Sequence, residues 1–483
     1  MPELNKDVIF LILKELQDDV KSLYPYLLIN KTWCETTVPI LWKNPVNRYY
    51  EIDKVNNNLF NVIISHISEE SKENLKNQGI EIFTKTYKRP SFNYISYWRH
   101  LDLLFLQLMM DFFLIYKNIE KFKISIIENE IFNLFNKNTK FNFLNLINSQ
   151  RFNTFHISGT ENCFSELETF HCNDFINCNI LKRLAIINTS IKELKFEIEN
   201  NIDKSGIVRL IEVQKNLKNV YLILNYTYII DESYHTTIEN SLIKCANTVQ
   251  YLRIDWKPYT KFLSYLVNLV SLEIKAPHDV HDVNWSHLDE IFLPLLKILK
   301  AHSIPSRILT NLIKNTKARL IEISIFYQGI DDGKLIKAIC QSCPNLSYFR
   351  LSMYNNDISK FENLLINCLS LNRLEITGMN VFNEFNWDML FIILAKFSPI
   401  GLFNFKFSSY RSKFKLSSLK LFLDNWKNRY PMLLQIISAE HISKDHQRRK
   451  DLRKKLENLV QIYKANGIVE KYNIDGDDFE DFK

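Results

Sequence analysis

The spacing of apolar residues changes period along this chain, and each change marks a different kind of structure. Residues 4–16 have helical spacing: Val8, Ile12 and Leu16 form one i, i+4, i+8 row, Ile9 and Leu13 a second, and Leu11 falls outside both. That apolar arc is wider than one buried stripe requires. After a polar turn from Gln17 to Lys21, Ser22 can cap a short second helix carrying Leu23, Leu27 and Leu28. A third helix, around Lys31 to Val38 with Trp33 and Cys34, is stopped by Pro39 ahead of Ile40-Leu41-Trp42. A unit of about 45 residues is near the lower limit for independent folding. Its surplus apolar surface is therefore covered either by a partner or by the rest of the chain.

The stretch from 46 to 150 reads as a helical linker. Phe60, Ile63, Ile64 and Ile67 share one face, and Leu101, Leu104, Phe105, Leu108, Phe112 and Ile115 predict a buried helix from Leu101 to Tyr116. Asp102, Gln107 and Asp111 interrupt that helix, which is shorter than the roughly 20 apolar residues a membrane span needs. From Phe152 onward a template recurs, apolar-x-x-apolar-x-apolar. Its copies are Phe152/Phe155/Ile157, Leu167/Phe170/Cys172, Leu181/Leu184/Ile186, Leu217/Val220/Leu222, Val249/Leu252/Ile254 and Leu269/Leu272/Ile274. They continue as Leu296/Leu299/Ala301, Leu320/Ile323/Ile325, Leu346/Phe349/Leu351, Leu371/Leu374/Ile376 and Leu402/Phe405/Phe407, with Leu433/Ile436 a weak last copy. Middle positions from Leu272 to Phe405 step by 27, 24, 26, 25 and 31 residues. Helical segments separate the copies, as at Lys334 to Cys340, Phe361 to Cys368 and Trp387 to Ala395. A strand-plus-helix unit repeated in this way buries its apolar face only against its neighbours.

Side chains alternate along a strand, so residues between the buried ones point to the opposite face. One row on that face reads Arg253, Glu273, Lys300, Ser324, Arg350, Glu375, Lys406. Its signs alternate, so neighbours can pair and leave little net field. The competing reading is a binding surface. Tyr251, Arg253, Phe326, Tyr348, Arg350 and Arg373 are the candidate ligand contacts, since aromatics and arginine dominate interface hot spots.

Two resemblances follow from these residues. Leu4-x-x-Asp7-Val8-Ile9-x-x-Ile12-x-x-x-Leu16, Leu28-Ile29-Asn30-Lys31-x-Trp33-Cys34 and Pro39-x-Leu41-Trp42 resemble an F-box, with Asn5 where that family usually has proline. Cys343-Pro344-Asn345-Leu346-x-x-Phe349-x-Leu351 and Cys368-x-x-Leu371-x-x-Leu374-x-Ile376 resemble the cysteine-containing leucine-rich repeat found beside F-boxes. The resemblance implies an α/β architecture: an N-terminal all-helical F-box (1–45), a helical linker (46–150), a curved leucine-rich-repeat solenoid (151–440), and a C-terminal helix with an acidic tail (441–483). It further implies docking on the Skp-type adaptor of a Skp–cullin–F-box ubiquitin ligase. By resemblance Leu4, Asp7, Val8, Ile9, Ile12, Trp33, Leu41 and Trp42 carry that contact, with Val8, Ile9 and Ile12 on one side of their helix. The repeat face would hold an unknown protein substrate. The alternative is a scaffold or recognition protein outside the ligase, whose F-box-like segment only caps the repeats.

Composition narrows the classes. The 483 residues carry 61 basic and 54 acidic side chains, a net charge of +7, with 46% hydrophobic residues and only 9 glycines. Neither a glycine-rich phosphate loop nor a concentrated nucleic-acid-binding stripe fits these figures. The N-terminus lacks the basic start and small-residue cleavage site of a signal peptide. The expected location is the cytoplasm, the nucleus or both, with the eight cysteines reduced. Cys340-Gln-Ser-Cys343 lacks a second pair for zinc and reads as helix-end packing, and the sequon Asn188-Thr189-Ser190 is without meaning inside the cell. His278-Asp279-Val280-His281-Asp282 with His287 has no recognised zinc spacing. The basic run Arg448 to Lys455 reads as the solvated face of a terminal helix, and the acidic tail lacks the register of a calcium loop. The expected protein is thus non-catalytic, with no cofactor, no metal, no nucleic-acid partner and no membrane partner.

Overall fold

A computed structural model of the chain describes residues 4–17, 19–45, 52–80, 90–116, 120, 123–147, 161–199, 203–225, 232–276, 285–326, 333–379, 384–409, 415–438 and 446–475. The chain forms two compact units, Met1–Thr248 and Val249–Lys483. In the first, α1 (Lys6–Glu15), α2 (Val20–Leu23), a 3-10 turn (Tyr24–Leu28) and α3 (Lys31–Trp42) make the N-terminal module. Asn5 caps α1 by accepting the Asp7 N–H at 3.1 Å, and Asn30 caps α3 by accepting the Trp33 N–H at 3.0 Å. The backbone φ of Asn5 is −59°, an angle a proline would also hold, so asparagine at this position keeps that entry geometry and adds a cap. The α1–α3 junction is filled by Ile9, Leu13 and Leu23, with Leu16, Tyr26, Trp33, Ile40 and Leu41 packed around them.

Five parallel strands follow in that unit: β1 (His100–Asp102), β2 (Phe143–Asn145), β3 (Thr169–Asn173), β4 (Glu193–Ile198) and β5 (Asn219–Leu224). The second unit adds nine, also parallel and in chain order. They are β6 (Tyr251–Ile254), β7 (Ser271–Lys275), β8 (Ile298–His302), β9 (Glu322–Phe326), β10 (Tyr348–Met353), β11 (Arg373–Gly378), β12 (Asn404–Ser409), β13 (Met432–Ser438) and β14 (Val469–Ile474). The template's middle residues fall in one register, Leu252, Leu272, Leu299, Ile323, Phe349, Leu374, Phe405 and Leu434, and all are fully buried. α/β repeat architecture is therefore what the periodicity predicts and what the chain adopts.

The entries to most strands use one device. The carbonyl just before a strand accepts two consecutive N–H groups from the next strand's entry: Asn142 O from Glu168 and Thr169, Val270 O from Lys297 and Ile298, Ile321 O from Ser347 and Tyr348, Ser347 O from Asn372 and Arg373. Buried amides tie the turns in the same way. Asn188 Nδ2 donates to the carbonyls of Phe164, Ser165 and Leu167, which keeps the sequon asparagine inside the structure.

Several expectations need correction. Leu181/Leu184/Ile186 lies in the helix Cys178–Ile187, and the strand is β4, built on Leu194 and Phe196. Leu181 and Leu184 share the buried face of that helix at i, i+3, whereas Ile186 lies on its other side and is 81% exposed, and the polar residues Asn188 to Ser190 mark the boundary. In the stretch read as a helical linker, β1 and β2 are strands; Leu101 belongs to β1, and the long helix runs Leu103–Tyr116. In β13 the residues in register with Phe405 and Phe407 are Leu434 and Ile436, while Leu433 pairs with Asn404. Beyond the terminal helix His446–Ala465 the chain forms β14. The copy at Phe152, the cluster from His278 to Asp282 and the tail beyond Asp475 lie outside the described residues.

Gly206 sits where the helix Ser205–Glu212 crosses Cys178–Ile187. A Cβ there would lie 2.6 Å from the Cys178 carbonyl oxygen, so the backbones themselves set the approach. Gly206→Ala should cost about 1–3 kcal/mol in denaturant unfolding; an unchanged midpoint would show that the helices can part freely.

Candidate functional site

The N-terminal module presents the first surface. Leu4, just ahead of the Asn5 cap, and Val8, Leu11 and Ile12 on one side of α1 are all exposed, Leu11 by 60%. Leu28, 88% exposed, and Ile29 add apolar surface past the 3-10 turn. The opposite stripe, Ile9 and Leu13, is buried in the module. Ile9 thus does not share a side with Val8 and Ile12, because 100° of rotation per residue carries it onto the α3-facing side. Asp7 is exposed beside this stripe. Trp33 is half-buried and stacks on Tyr26, with centroids 5.1 Å apart; Leu41 packs on the module core; and the Trp42 ring lies 4.5 Å from Tyr94. Leu11, Leu28 and Ile29 were not among the expected contacts, although Leu11 already stood out as belonging to neither buried row. Phe10 is also exposed and edges a groove of about 400 Å³ whose other walls include Lys14, Lys43 and Arg99.

The inner end of the module has a different role. The Lys43 carbonyl accepts the Arg99 and His100 N–H groups at 2.9 and 3.2 Å, the same two-donor pattern that starts β2 to β5 and β7 to β12. The module therefore closes the entry end of β1 while leaving the α1 stripe uncovered.

The second surface is the sheet face opposite the buried template residues. The row Arg253, Glu273, Lys300, Ser324, Arg350, Glu375, Lys406 is in register strand by strand. Two centres on it repeat one motif, a Tyr-x-Arg on one strand and a glutamate on the next. Tyr251 donates to Glu273 Oε2 at 3.2 Å, and Arg253 lies 3.5 Å from Oε1 of the same carboxylate. Tyr348 donates to Glu375 Oε2 at 3.0 Å, and Arg350 lies 3.1 Å from Oε1. A second cation completes each, Lys275 at 3.3 Å from Glu273 and Lys406 at 3.5 Å from Glu375. Burial pushes the Glu273 carboxyl up, but Arg253 and Lys275 outweigh it and hold the carboxyl low. Burial and the Glu375 charge push the Tyr348 phenol up, so it stays a donor. Arg253 also forks onto Asp255 at 3.0 and 3.1 Å.

Between the centres stands an aromatic stack. His302 and Phe326 are parallel with centroids 4.0 Å apart, and the Arg350 guanidinium sits 3.8 Å above the Phe326 ring. The Arg373 guanidinium lies 5.6 Å from the Tyr348 ring. All six candidate contacts of this face are thus on one side of the second unit, and four of them, Phe326, Tyr348, Arg350 and Arg373, form one cluster. Its carboxylates and His302 were not among the candidate contacts; the in-register row held Glu273 and Glu375, while His302 lies in the next row, between Lys275 and Phe326.

Other chemistry is quiet. Burial pushes the thiols of Cys343 and Cys368 up to about 12, and Cys340 up as well, so this pair stays protonated packing at a helix end. Among the described residues no group of three or more His, Cys, Asp or Glu could hold a metal ion, and no helix is long and apolar enough to cross a membrane.

These features define a repeat protein of parallel strand–helix units with a helical N-terminal module. No protein-family model matches the chain, and no curated protein matches it. Among solved structures, the leucine-rich repeat-containing protein LegL7 from Legionella pneumophila is 13% identical, covering 64% of this chain and 83% of its own at a TM-score of 0.30. The Rad7 and Elc1 complex in yeast matches at 16% identity, covering 69% of this chain and 94% of that one, again at a TM-score of 0.30.

Burial, with the Lys275 charge next, lowers the His302 imidazole from 6.5 to about 4. The folded chain keeps it neutral where the unfolded chain takes up a proton. The His302 contribution to stability is full above about pH 6.5 and falls as pH drops toward 4, levelling below that. His302→Gln should flatten this part of the stability–pH profile, measured as denaturant midpoints across the window; a profile as steep as the parent's would refute the assignment.

Proposed function

We propose that this chain is the substrate-recognition subunit of a Skp–cullin–F-box type ubiquitin ligase. The N-terminal module tethers it to a Skp-type adaptor, and through that adaptor to a cullin, while the open sheet face holds a protein substrate. The observation that carries this reading is the α1 stripe of Leu4, Val8, Leu11 and Ile12, left in solvent although the module's other stripe is packed. Exposed apolar surface of this kind on a folded helix marks an interaction site. The chain itself would catalyse nothing. It would raise the effective concentration of substrate lysines near the charged ubiquitin carrier.

The cap reading also has an observation in its favour, the Lys43 carbonyl bonded to the start of β1. It accounts for the module's inner end and leaves the α1 stripe without a role, whereas docking accounts for the stripe and is compatible with the cap.

Val8→Asp and Ile12→Asp change only exposed positions. Either should abolish co-purification of a Skp-type adaptor from cells while the melting temperature stays within a few degrees of the parent's. Adaptor retained at the parent level by both variants would sink the docking surface. Ile9→Asp, which puts a charge in the module core, should instead unfold the module.

A further inference from the structure

The charges on the open face are unevenly spread. On β6 and β7 two outward cations, Arg253 and Lys275, face two carboxylates, Asp255 and Glu273. On β8 to β12 the outward cations are four, Lys300, Arg350, Arg373 and Lys406, against two carboxylates, Glu322 and Glu375. The surplus is +2 over five strands, a width of about 19 Å at roughly 4.8 Å per strand. Glu375 is already shared by Arg350, Lys406 and the Tyr348 hydroxyl. Glu273, the register neighbour of Lys300, is held by Arg253 and Lys275. The same region carries the half-buried rings of Phe326, His302 and Tyr348.

We propose that the face from β8 to β12 takes an acidic segment of a protein ligand, its carboxylates meeting Lys300, Arg350 and Arg373 and its apolar side chains lying on Phe326 and Tyr348. This rests on the reading of the open face as the substrate surface and names the class of segment it accepts. Charge complementarity selects the sign of the ligand. The partial neutralisation by Glu322 and Glu375, together with the aromatic floor, favours a peptide over nucleic acid, whose binding surfaces gather uncompensated cations. The neutral His302 adds no repulsion to an approaching residue and supplies a reporter. It faces Lys275, Glu273, Arg350 and Arg253 as well as the Phe326 ring. A carboxylate bound beside it favours its protonated form.

The test titrates a fluorescein-labelled peptide of alternating Glu and Leu into the full chain, beside the same peptide with Gln for Glu. The Glu peptide should bind at least about 10-fold tighter at low salt, weaken on addition of about 0.3 M salt, and lose at least about 10-fold with Lys300→Glu/Arg373→Glu. The milder Lys300→Gln/Arg373→Gln pair should show a smaller loss and guards against misfolding. The His302 imidazole signal should titrate at higher pH with the Glu peptide present. Equal binding of the two peptides, or binding indifferent to both variant pairs, overturns the proposal. So does a uridylate oligonucleotide that binds more tightly than the Glu peptide, which would make this a nucleic-acid surface. A photo-crosslinking residue at Phe326 separates the levels. A captured protein that the Glu peptide fails to displace ends the acidic-segment proposal and leaves the open face a ligand surface. No capture and no peptide binding ends both.

Discussion

Each repeat in this chain is unable to satisfy itself. Its two template residues, such as Phe349 and Leu351, are fully buried only because Ile323 and Ile325 stand on one side and Leu374 and Ile376 on the other. Its entry N–H groups are satisfied only by the carbonyl that precedes the neighbouring strand. Hydrophobic burial and backbone hydrogen bonding therefore impose the same register, since a one-residue slip would misplace both. Everything on the open face inherits that register. Ends are where the constraint bites: the first strand needs a donor-accepting carbonyl from outside the repeats, and Lys43 of the helical module supplies it.

The open face shows what a fixed register does to charge. Glutamates that would be costly to bury alone are placed one strand from an arginine and a tyrosine hydroxyl, at β6–β7 and again at β10–β11. The two centres have the same local chemistry but different surroundings. Asp255 forks onto Arg253 at the first, while at the second Arg350 and Lys406 meet one carboxylate and Arg373 lies over the Tyr348 ring. Ion pairing and the proposed ligand recognition are not rivals. The pairs hold long side chains in fixed orientations, in which their outer edges can still face a ligand.

The parts of the fold that were legible in the sequence are those where neighbouring repeats reinforce one another. From Leu252 to Phe405 every middle position of the template lies in the predicted register. The failures lie at the margins. β1 and β2 are three residues each, too short to display alternation, and Leu101 was absorbed into the helix that follows it. Leu181 and Leu184 satisfy a helical face and the strand template alike, and only the packing of Cys178–Ile187, which leaves Ile186 exposed, separates the two. On α1 the row pattern placed five apolar residues on one helix without saying which row faces α3. That choice put Ile9 inside and Val8 outside.

The sequence by itself determined the unit, its period and the row of residues that share the open face, because these follow from side-chain alternation and from a template repeated often enough to fix its own phase. Only the tertiary structure decided which of those residues are consumed by one another and which remain available. Pairing depends on distances of a few tenths of an ångström between long side chains on different strands, as with Arg350 and Lys406 converging on Glu375. It also decided that one apolar stripe of α1 is core and the other is surface, since amphipathic spacing records how much of a helix is apolar and not what stands opposite it.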